Sequence, residues 1–303
     1  MPKKIATVVG ATGNQGSAFI SVLLRKAEYH IRGVTRNPAS DASNTLKEKG
    51  VEIIRANLNG EGSLNAASEG SHLIFGITDF VPGYVEYGGR KAKEIEVNYG
   101  LNIARAAQAT TTLEHFTWST LPGVHDATGG QFSCPNFDGE EFNKYIRADA
   151  SLLAKTTFLM IGWHDTNFKY PVFTPVWVEL ARKYVVIGDY PANASLPCIG
   201  DIESKNGTIV IAYVENVGFE DLLKRWAEVH GKEAIYVRTS HETISQALWP
   251  QWTDLAEMAR FMGAYKGNNW IYQEDEVLTA EKLGIPQSDF VPLSESLKLL
   301  RFD

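Results

Sequence analysis

Two cysteines in 303 residues, Cys134 and Cys198, stand in no metal-ligand spacing, and the seven histidines are scattered singly. Neither a disulfide framework nor a metal centre is expected from such a pattern. Basic runs are missing beyond Lys3-Lys4, and the formal net charge is −7. A direct nucleic-acid surface needs clustered positive charge, so nucleic acid is not an expected partner. Long hydrophobic runs are missing too. No apolar stretch approaches the roughly 20 residues that span a bilayer, and the first strand begins at Ile5 with no signal core before it. The expected location is cytoplasmic, with no membrane contact. An apolar share of 44% is that of a globular chain and excludes disorder and collagen-like structure. The sequons at Asn193 and Asn206 would matter only in a secreted protein and read as loop and turn residues.

What is present, near the start, is a glycine-punctuated loop between a strand and a helix. Ile5-Ala6-Thr7-Val8-Val9 has the nearly continuous apolar character of a strand buried on both faces of a parallel sheet. It leads into Gly10-Ala11-Thr12-Gly13-Asn14-Gln15-Gly16, and a helix follows with Phe19, Val22 and Leu23 facing inward. Gly10 and Gly13 let the backbone turn tightly and approach a phosphate, while Gly16 lets the helix pack close on the strand. The N–H groups and positive dipole end of that helix favour an anion. The segment is expected to bind a dinucleotide pyrophosphate, with Thr12, Asn14 and Gln15 among the contacts.

Which dinucleotide is decided about 20 residues further on, where the second strand of such a unit ends. That end is Val34-Thr35-Arg36-Asn37-Pro38. An acidic residue would accept from the ribose 2′-OH of NAD, whereas Arg36 offers a planar fork to a 2′-phosphate, so the expected cofactor is NADP(H). Asp41 lies beyond Pro38, in a stretch that reads as a polar loop.

Strand-like runs recur at His30–Thr35, Val51–Arg55, Leu73–Ile77, His115–Ser119 and Thr157–Ile161, with helical patterns between them. The longest of these, Gly89–Thr110, sets Ile95, Tyr99, Asn102, Ile103 and Ala106 at helical spacing. Alternation of this kind calls for right-handed crossovers. The expected fold class is α/β: a Rossmann-type doubly wound parallel sheet over residues 1–165, with a smaller α+β C-terminal substrate or partner domain over 166–303. Some strands of the latter can return to the main sheet. Past residue 165 aromatics become frequent (Phe173, Trp177, Tyr184, Tyr190, Trp226, Trp249, Trp252, Trp270), expected as core because large side chains bury area in a small domain. Helices are expected near Phe219–His230, Ile244–Leu248, Asp254–Met262 and Ala280–Leu283.

In open sheets the ligand lies beyond the carboxyl ends of the strands. The third end, Ala56-Asn57-Leu58-Asn59, brings Asn57 and Leu58 toward the adenine; the fourth, Gly76-Ile77-Thr78-Asp79-Phe80, offers Thr78, Asp79 and Phe80 as a wall for the nicotinamide ribose. The fifth, Trp118-Ser119-Thr120-Leu121-Pro122, carries hydroxyls that can hold a substrate carbonyl, and the sixth leads to His164.

Together these segments, with Phe116–Pro122, Phe137-Asp138-Gly139 and Val229-His230-Gly231-Lys232, resemble the NmrA-like family of atypical short-chain dehydrogenase/reductases, in particular its fungal members. The resemblance implies an NAD(P)-binding Rossmann domain with a smaller C-terminal domain. It also implies a divided function, since some relatives are NADP(H) reductases and others are redox-sensing regulators. Reductases of this kind carry a lysine on the helix after the fifth strand, shortly past a Phe-Asp pair; here that position is Glu140. Asp138 is expected to cap that helix, with Glu141 completing a capping-box spacing. Lys144 follows Glu140 by one helical turn and can supply the ammonium from a shifted position. Tyr87-x-x-x-Lys91 precedes the fifth strand and is read as chance.

The expected function is NADPH-dependent reduction of a small aromatic or conjugated carbonyl compound, in secondary metabolism. Thr120 or Ser119 would hold the developing oxyanion, and Lys144, Tyr145 or His164 would give the proton, His164 because an ordinary imidazole titrates near neutral pH. The alternative, motivated by Glu140, is a non-catalytic NADP(H)-sensing regulator that binds a protein partner.

Overall fold

The computed structural model describes residues 2–189, 195–198 (backbone), 208–248, 250–264 and 277–302. Tyr190, Trp249, Trp270, Asn193 and Asn206 lie outside the described residues. Strands and helices alternate through β1 (Lys4–Val9), α1 (Asn14–Lys26), β2 (Tyr29–Thr35), α2 (Asp41–Glu48), β3 (Glu52–Arg55), α3 (Glu61–Ser68) and β4 (Leu73–Gly76). Two helices, α4 (Phe80–Tyr87) and α5 (Gly89–Ala109), precede β5 (His115–Thr120); α6 (Val124–Ala127), α7 (Glu140–Ala148) and α8 (Ala150–Leu153) precede β6 (Thr156–Ile161). Then come β7 (Val176–Val178), β8 (Lys183–Gly188), β9 (Ser195–Cys198), β10 (Ile209–Ala212), β11 (Glu215–Gly218), α9 (Phe219–Val229), β12 (Ala234–Arg238), α10 (Thr253–Ala264), β13 (Val277–Leu278) and α11 (Leu293–Leu297).

The main sheet has eight strands in the order β13-β10-β6-β5-β4-β1-β2-β3. β1 pairs in parallel with both β2 and β4, and the pairs β2–β3, β4–β5 and β5–β6 are parallel as well. Consecutive residues Ala6, Thr7 and Val8 are all fully buried, so both faces of β1 are covered, as its uninterrupted apolar pattern requires. Chain progression runs outward from β1 through β2 to β3 and, on the other side, from β4 through β5 to β6. The order therefore reverses between β1 and β4, which is where an open parallel sheet leaves a crevice for a ligand.

The chain divides into two compact units, Met1–Leu121 with Gly139–Met160 and Glu203–Val210, and Pro122–Asp138 with Ile161–Ile202 and Ile211–Asp303. The second contains a three-stranded mixed sheet, β12-β8-β7, in which β8 is parallel to β12 and antiparallel to β7. Its core is aromatic: Trp163 meets Phe168 edge-on at 5.0 Å, and Trp226 meets Tyr184 at 5.2 Å. Phe173 and Trp226 are buried as expected, and Phe219 is buried with them, but Trp177 is exposed, its indole N–H donating to Glu179 at 2.7 Å.

In α1 Leu23 is buried and Phe19 and Val22 are half-buried, Phe19 stacked on the buried Phe75 at 4.6 Å, and Gly16 and Ile20 are buried besides. Three local readings change. Asp41 is not in a loop: the Ser40 hydroxyl accepts from the Ser43 N–H and starts α2 there. Ala280–Leu283 is a turn that closes at Gly284, φ +70°, too short to propagate as a helix. Gly139, not Asp138, is the N-cap of α7. Asp138 is buried and accepts from the N–H groups of His125 at 2.8 Å and Cys134 at 2.7 Å, so its carboxylate organises the preceding loop.

Candidate nucleotide site

The crevice of the first unit is built around the end of β1. Gly10 has φ +68°, and a Cβ there would lie 2.8 Å from Ile77 Cγ2. The Gly13 N–H donates to Gly10 O at 2.9 Å and closes the turn. Gly13 is the N-cap of α1 and brings no side-chain cap, and the N–H groups of a helix's first turn point out of its N-terminus. A Cβ on Gly16 would lie 2.3 Å from Gly10 O, so only glycine lets the helix start this close to the strand. The arrangement fits a pyrophosphate: a narrow backbone cradle with helix N–H donors at its mouth. Thr12, Gly13 and Asn14 are exposed along its rim, and Gln15 is half-buried.

Neighbouring strand ends complete the site. Arg36 is exposed at the end of β2. The turn behind it is pinned, because Thr35 Oγ1 accepts from the Asn37 N–H and the Asn37 carbonyl accepts from the Ser40 and Ser43 hydroxyls at 3.1 and 2.8 Å. Asp79 follows β4. Desolvation by neighbouring protein raises its carboxyl above the usual range, and the positive charge of Arg36 opposes that rise. Phe80 lies beside Tyr84, rings 5.4 Å apart.

Asn57 uses its Oδ1 locally, accepting from the Asn59 N–H at 3.0 Å. Leu58 contributes its carbonyl, which accepts from Asn102 Nδ2 at 2.8 Å, and Asn98 Nδ2 donates to Asn59 Oδ1 at 3.1 Å. Two amides one turn apart on α5 thus hold the β3–α3 loop from behind. Their signal in the sequence is a pair of asparagines at i,i+4 spacing on a helix with apolar neighbours.

The register Gly76↔Trp118 sets Thr78 and Ser119 on adjacent strand ends. The Ser119 hydroxyl donates to Gln15 Oε1 at 2.6 Å and ties β5 to the phosphate loop. The Thr78 hydroxyl donates to Glu96 Oε1 at 2.6 Å. Burial pushes Glu96 up to about 7, with the Asp79 charge adding to the rise and the Thr78 hydrogen bond opposing it. Sequence reasoning misses Glu96, because a glutamate among the charged residues of a long helix looks solvent-facing.

Thr120 is buried, accepts from Asn143 Nδ2 at 2.9 Å and donates to the Leu121 carbonyl at 3.3 Å. Asn143 Oδ1 in turn accepts from the indole N–H of Trp118 at 3.0 Å. Lys144 stays on the surface, its Nζ 3.9 Å from Glu140 Oε1. The Tyr145 hydroxyl donates to Gln108 Oε1, in the last turn of α5. That turn precedes the amino end of β5, so Tyr145 is set at the end of the strands away from the phosphate loop. His164 belongs to the second unit, and burial pushes its imidazole down to about 4, against the charge of Asp165. The expectation of an ordinary imidazole there is corrected: at neutral pH His164 is uncharged.

A doubly wound parallel sheet with a glycine cradle at its switch point defines a Rossmann-type dinucleotide-binding protein. The chain belongs to the NmrA-like family, whose model matches residues 2–284. It is 30% identical over 176 residues to an NmrA-like family domain-containing oxidoreductase of Aspergillus hancockii, a match covering 57% of this chain and 50% of that protein. The chain thus spans about half the length of the first curated relatives it matches. A further NmrA-like family domain-containing oxidoreductase, FrzB of Cladobotryum sp, is 26% identical over 92% of this chain and 90% of its own. Among solved structures, NmrA, a negative transcriptional regulator, superposes with TM-score 0.75 at 19% identity, covering 98% of this chain and 95% of that one. An NADPH-dependent quinone oxidoreductase of Escherichia coli complexed with NADPH gives 0.68 at 18% identity, covering 97% and 99%. Among the described residues no helix is long and apolar enough to cross a membrane.

Proposed function

We propose that this protein is a cytoplasmic NADPH-dependent reductase of a small aromatic or conjugated carbonyl compound. The observation that carries the reading is the glycine cradle at the end of β1 with Arg36 exposed on the adjoining strand end. The cradle suits a pyrophosphate, and the guanidinium fork suits a 2′-phosphate. The oxidoreductase names of the relatives support it, as does the NADPH complex of the quinone oxidoreductase.

When bound, the nicotinamide supplies the hydride. The chain's own groups orient and protonate. Gln15, its Oε1 held by the Ser119 hydroxyl at 2.6 Å, turns its Nε2 donor to the substrate carbonyl as negative charge develops on that oxygen. Thr78 and Glu96 form a proton store: with the carboxyl pushed up to about 7, the pair carries a proton close to neutral pH and passes it through the Thr78 hydroxyl.

The test is NADPH oxidation, followed by loss of the reduced-nicotinamide absorbance, against quinones, aryl ketones and enones, with Gly13→Asp as control. Substrate-dependent oxidation that disappears in the control supports the reading. Tight NADPH binding with no oxidation by any member of the panel refutes it and favours the second reading, a dinucleotide-sensing regulator. Two observations favour that reading: Glu140 occupies the position of the expected lysine, and the fold is shared with a negative transcriptional regulator. It requires that partner affinity change when NADP(H) binds.

A further inference from the structure

The second unit contains a cleft of about 380 Å³, lined by Phe132, Asp189, Arg238, Ser240, His241 and Arg260 among others. Its position follows from the strands. β8 and β12 run in parallel with Gly188 opposite Arg238, and the Thr239 N–H donates to Gly188 O at 2.9 Å. Asp189 and Arg238 therefore emerge side by side at the carboxyl ends of two parallel strands, the end at which parallel sheets present ligand groups. The opposite wall is the C-terminal half of α10, which contributes Ala259, Arg260, Gly263 and Ala264.

The ionisable groups around this cleft pair with one another, with one exception. His241 Nδ1 lies 3.0 Å from Asp189 Oδ2, and its Nε2 lies 3.2 Å from Glu257 Oε1. Glu257 also accepts from Arg260 Nη1 on both oxygens, at 2.7 and 3.0 Å. Asp189, Glu257, His241 and Arg260 thus all have partners in this cluster. Arg238 is exposed and makes no ion pair among the described residues. It lines the cleft together with apolar surface from the buried Phe132 ring, Ala259 and Gly263. The cleft has the size of a small-molecule site, with apolar surface and an unpaired guanidinium that can fix a ligand's orientation.

We propose that this cleft binds an organic monocarboxylate with a flat apolar body, the carboxylate taking the Arg238 guanidinium and the body lying on Phe132 and the small residues of α10. Arginine suits this task because its planar fork matches the two carboxylate oxygens. A bare anion would leave the apolar floor uncovered, and a neutral aromatic would leave the guanidinium unmatched. The cleft shares no residue with the nucleotide cradle, so the proposal is tested separately from the reductase reading.

The experiment is calorimetric titration of the full chain, saturated with NADPH and also as the Gly13→Asp variant, with 2-naphthoate, its neutral amide 2-naphthamide, and inorganic phosphate. Saturable binding of 2-naphthoate at one site is expected in both preparations, with the amide and phosphate each at least about tenfold weaker. Arg238→Met should weaken 2-naphthoate about 10- to 100-fold, as loss of a charged hydrogen-bond partner does. Arg238→Lys should recover part of the loss, and Gly263→Leu, which fills the floor, should abolish binding with Arg238 intact. Absence of 2-naphthoate binding overturns the proposal, as does an unchanged dissociation constant in Arg238→Met. Equal affinity for the amide or for phosphate also overturns it, and binding lost on NADPH saturation would overturn it by moving the ligand to the nucleotide site.

Discussion

Gly16→Ala and Gly62→Ala make the same chemical change in two helices, and the structure gives them opposite signs. In α1 a Cβ added at Gly16 would lie 2.3 Å from Gly10 O, 2.8 Å from Gly10 C and 3.1 Å from Ala11 Cα. All three are backbone atoms that no rotamer change can move. Relieving the first contact needs a shift of about 1 Å between α1 and the end of β1, given an ordinary carbon–oxygen contact a little above 3 Å. Overpacking of this kind costs about 1–3 kcal/mol, and a rigid backbone puts it at the upper end. The gain in helix propensity from glycine to alanine offsets about 1 kcal/mol. Net destabilisation of about 1–2 kcal/mol is expected, with NADPH affinity reduced about tenfold or more because the displaced carbonyl belongs to the cradle. Gly62, in α3, has no atom within 4 Å of an added Cβ. There the substitution should stabilise by about 0.4–1 kcal/mol, through helix propensity and a less flexible unfolded chain. Urea unfolding of both variants, paired with NADPH titration by fluorescence, reads both quantities. A Gly16→Ala protein with wild-type stability and wild-type NADPH affinity would refute the claim that contact at Gly16 sets the cradle.

Arg36→Asp should weaken NADPH about tenfold or more relative to NADH, since a charge-assisted hydrogen bond contributes about 1.5–3 kcal/mol; an unchanged preference in competitive titration would remove the 2′-phosphate assignment. Glu96 titrates at about 7 in the folded protein against an ordinary 4.5, so between those values the folded state binds the extra proton and stability falls as pH rises. The fall is about 3 kcal/mol at most, it is complete above about pH 7, and Glu96→Gln should abolish it; a variant whose urea midpoints at about pH 5 and pH 8 differ as much as those of the wild type contradicts the burial of this carboxyl. Asn143→Leu leaves the buried Trp118 N–H without its acceptor and Thr120 without its donor, which should cost about 2–4 kcal/mol. Chemical denaturation measures it, and a loss below about 1 kcal/mol would show that the bridge between β5 and α7 does not support the fold.

The parts of this fold that could be read from the sequence are those where neighbouring residues decide the outcome. Val8 to Gly16 is legible because strand burial, a turn and a close helix start each demand residue types at fixed offsets. The parts that could not be read depend on residues distant along the chain. Asp138 has the right type and position to cap α7, yet its carboxylate is taken by the N–H groups of His125 and Cys134. Once a loop folds back on the carboxylate, the helix must start at Gly139 without it. Thr120 looks like a free hydroxyl at a strand end, but Asn143, on a helix 23 positions later, uses it to connect to Trp118. Glu96 is the sharpest case. On periodicity it is one more charge on a long helix, and only the folded chain desolvates it and brings the Asp79 charge near, moving its titration to about 7 against the Thr78 hydrogen bond. His164 shows the same physics with the opposite sign, its imidazole pushed down to about 4 by burial. Between them these two residues reverse the acid–base assignment that residue type alone suggests. Burial raises the carboxyl and lowers the imidazole, because in each case it disfavours the charged form. Which titratable groups shift in this chain is therefore a property of which side chains the fold desolvates.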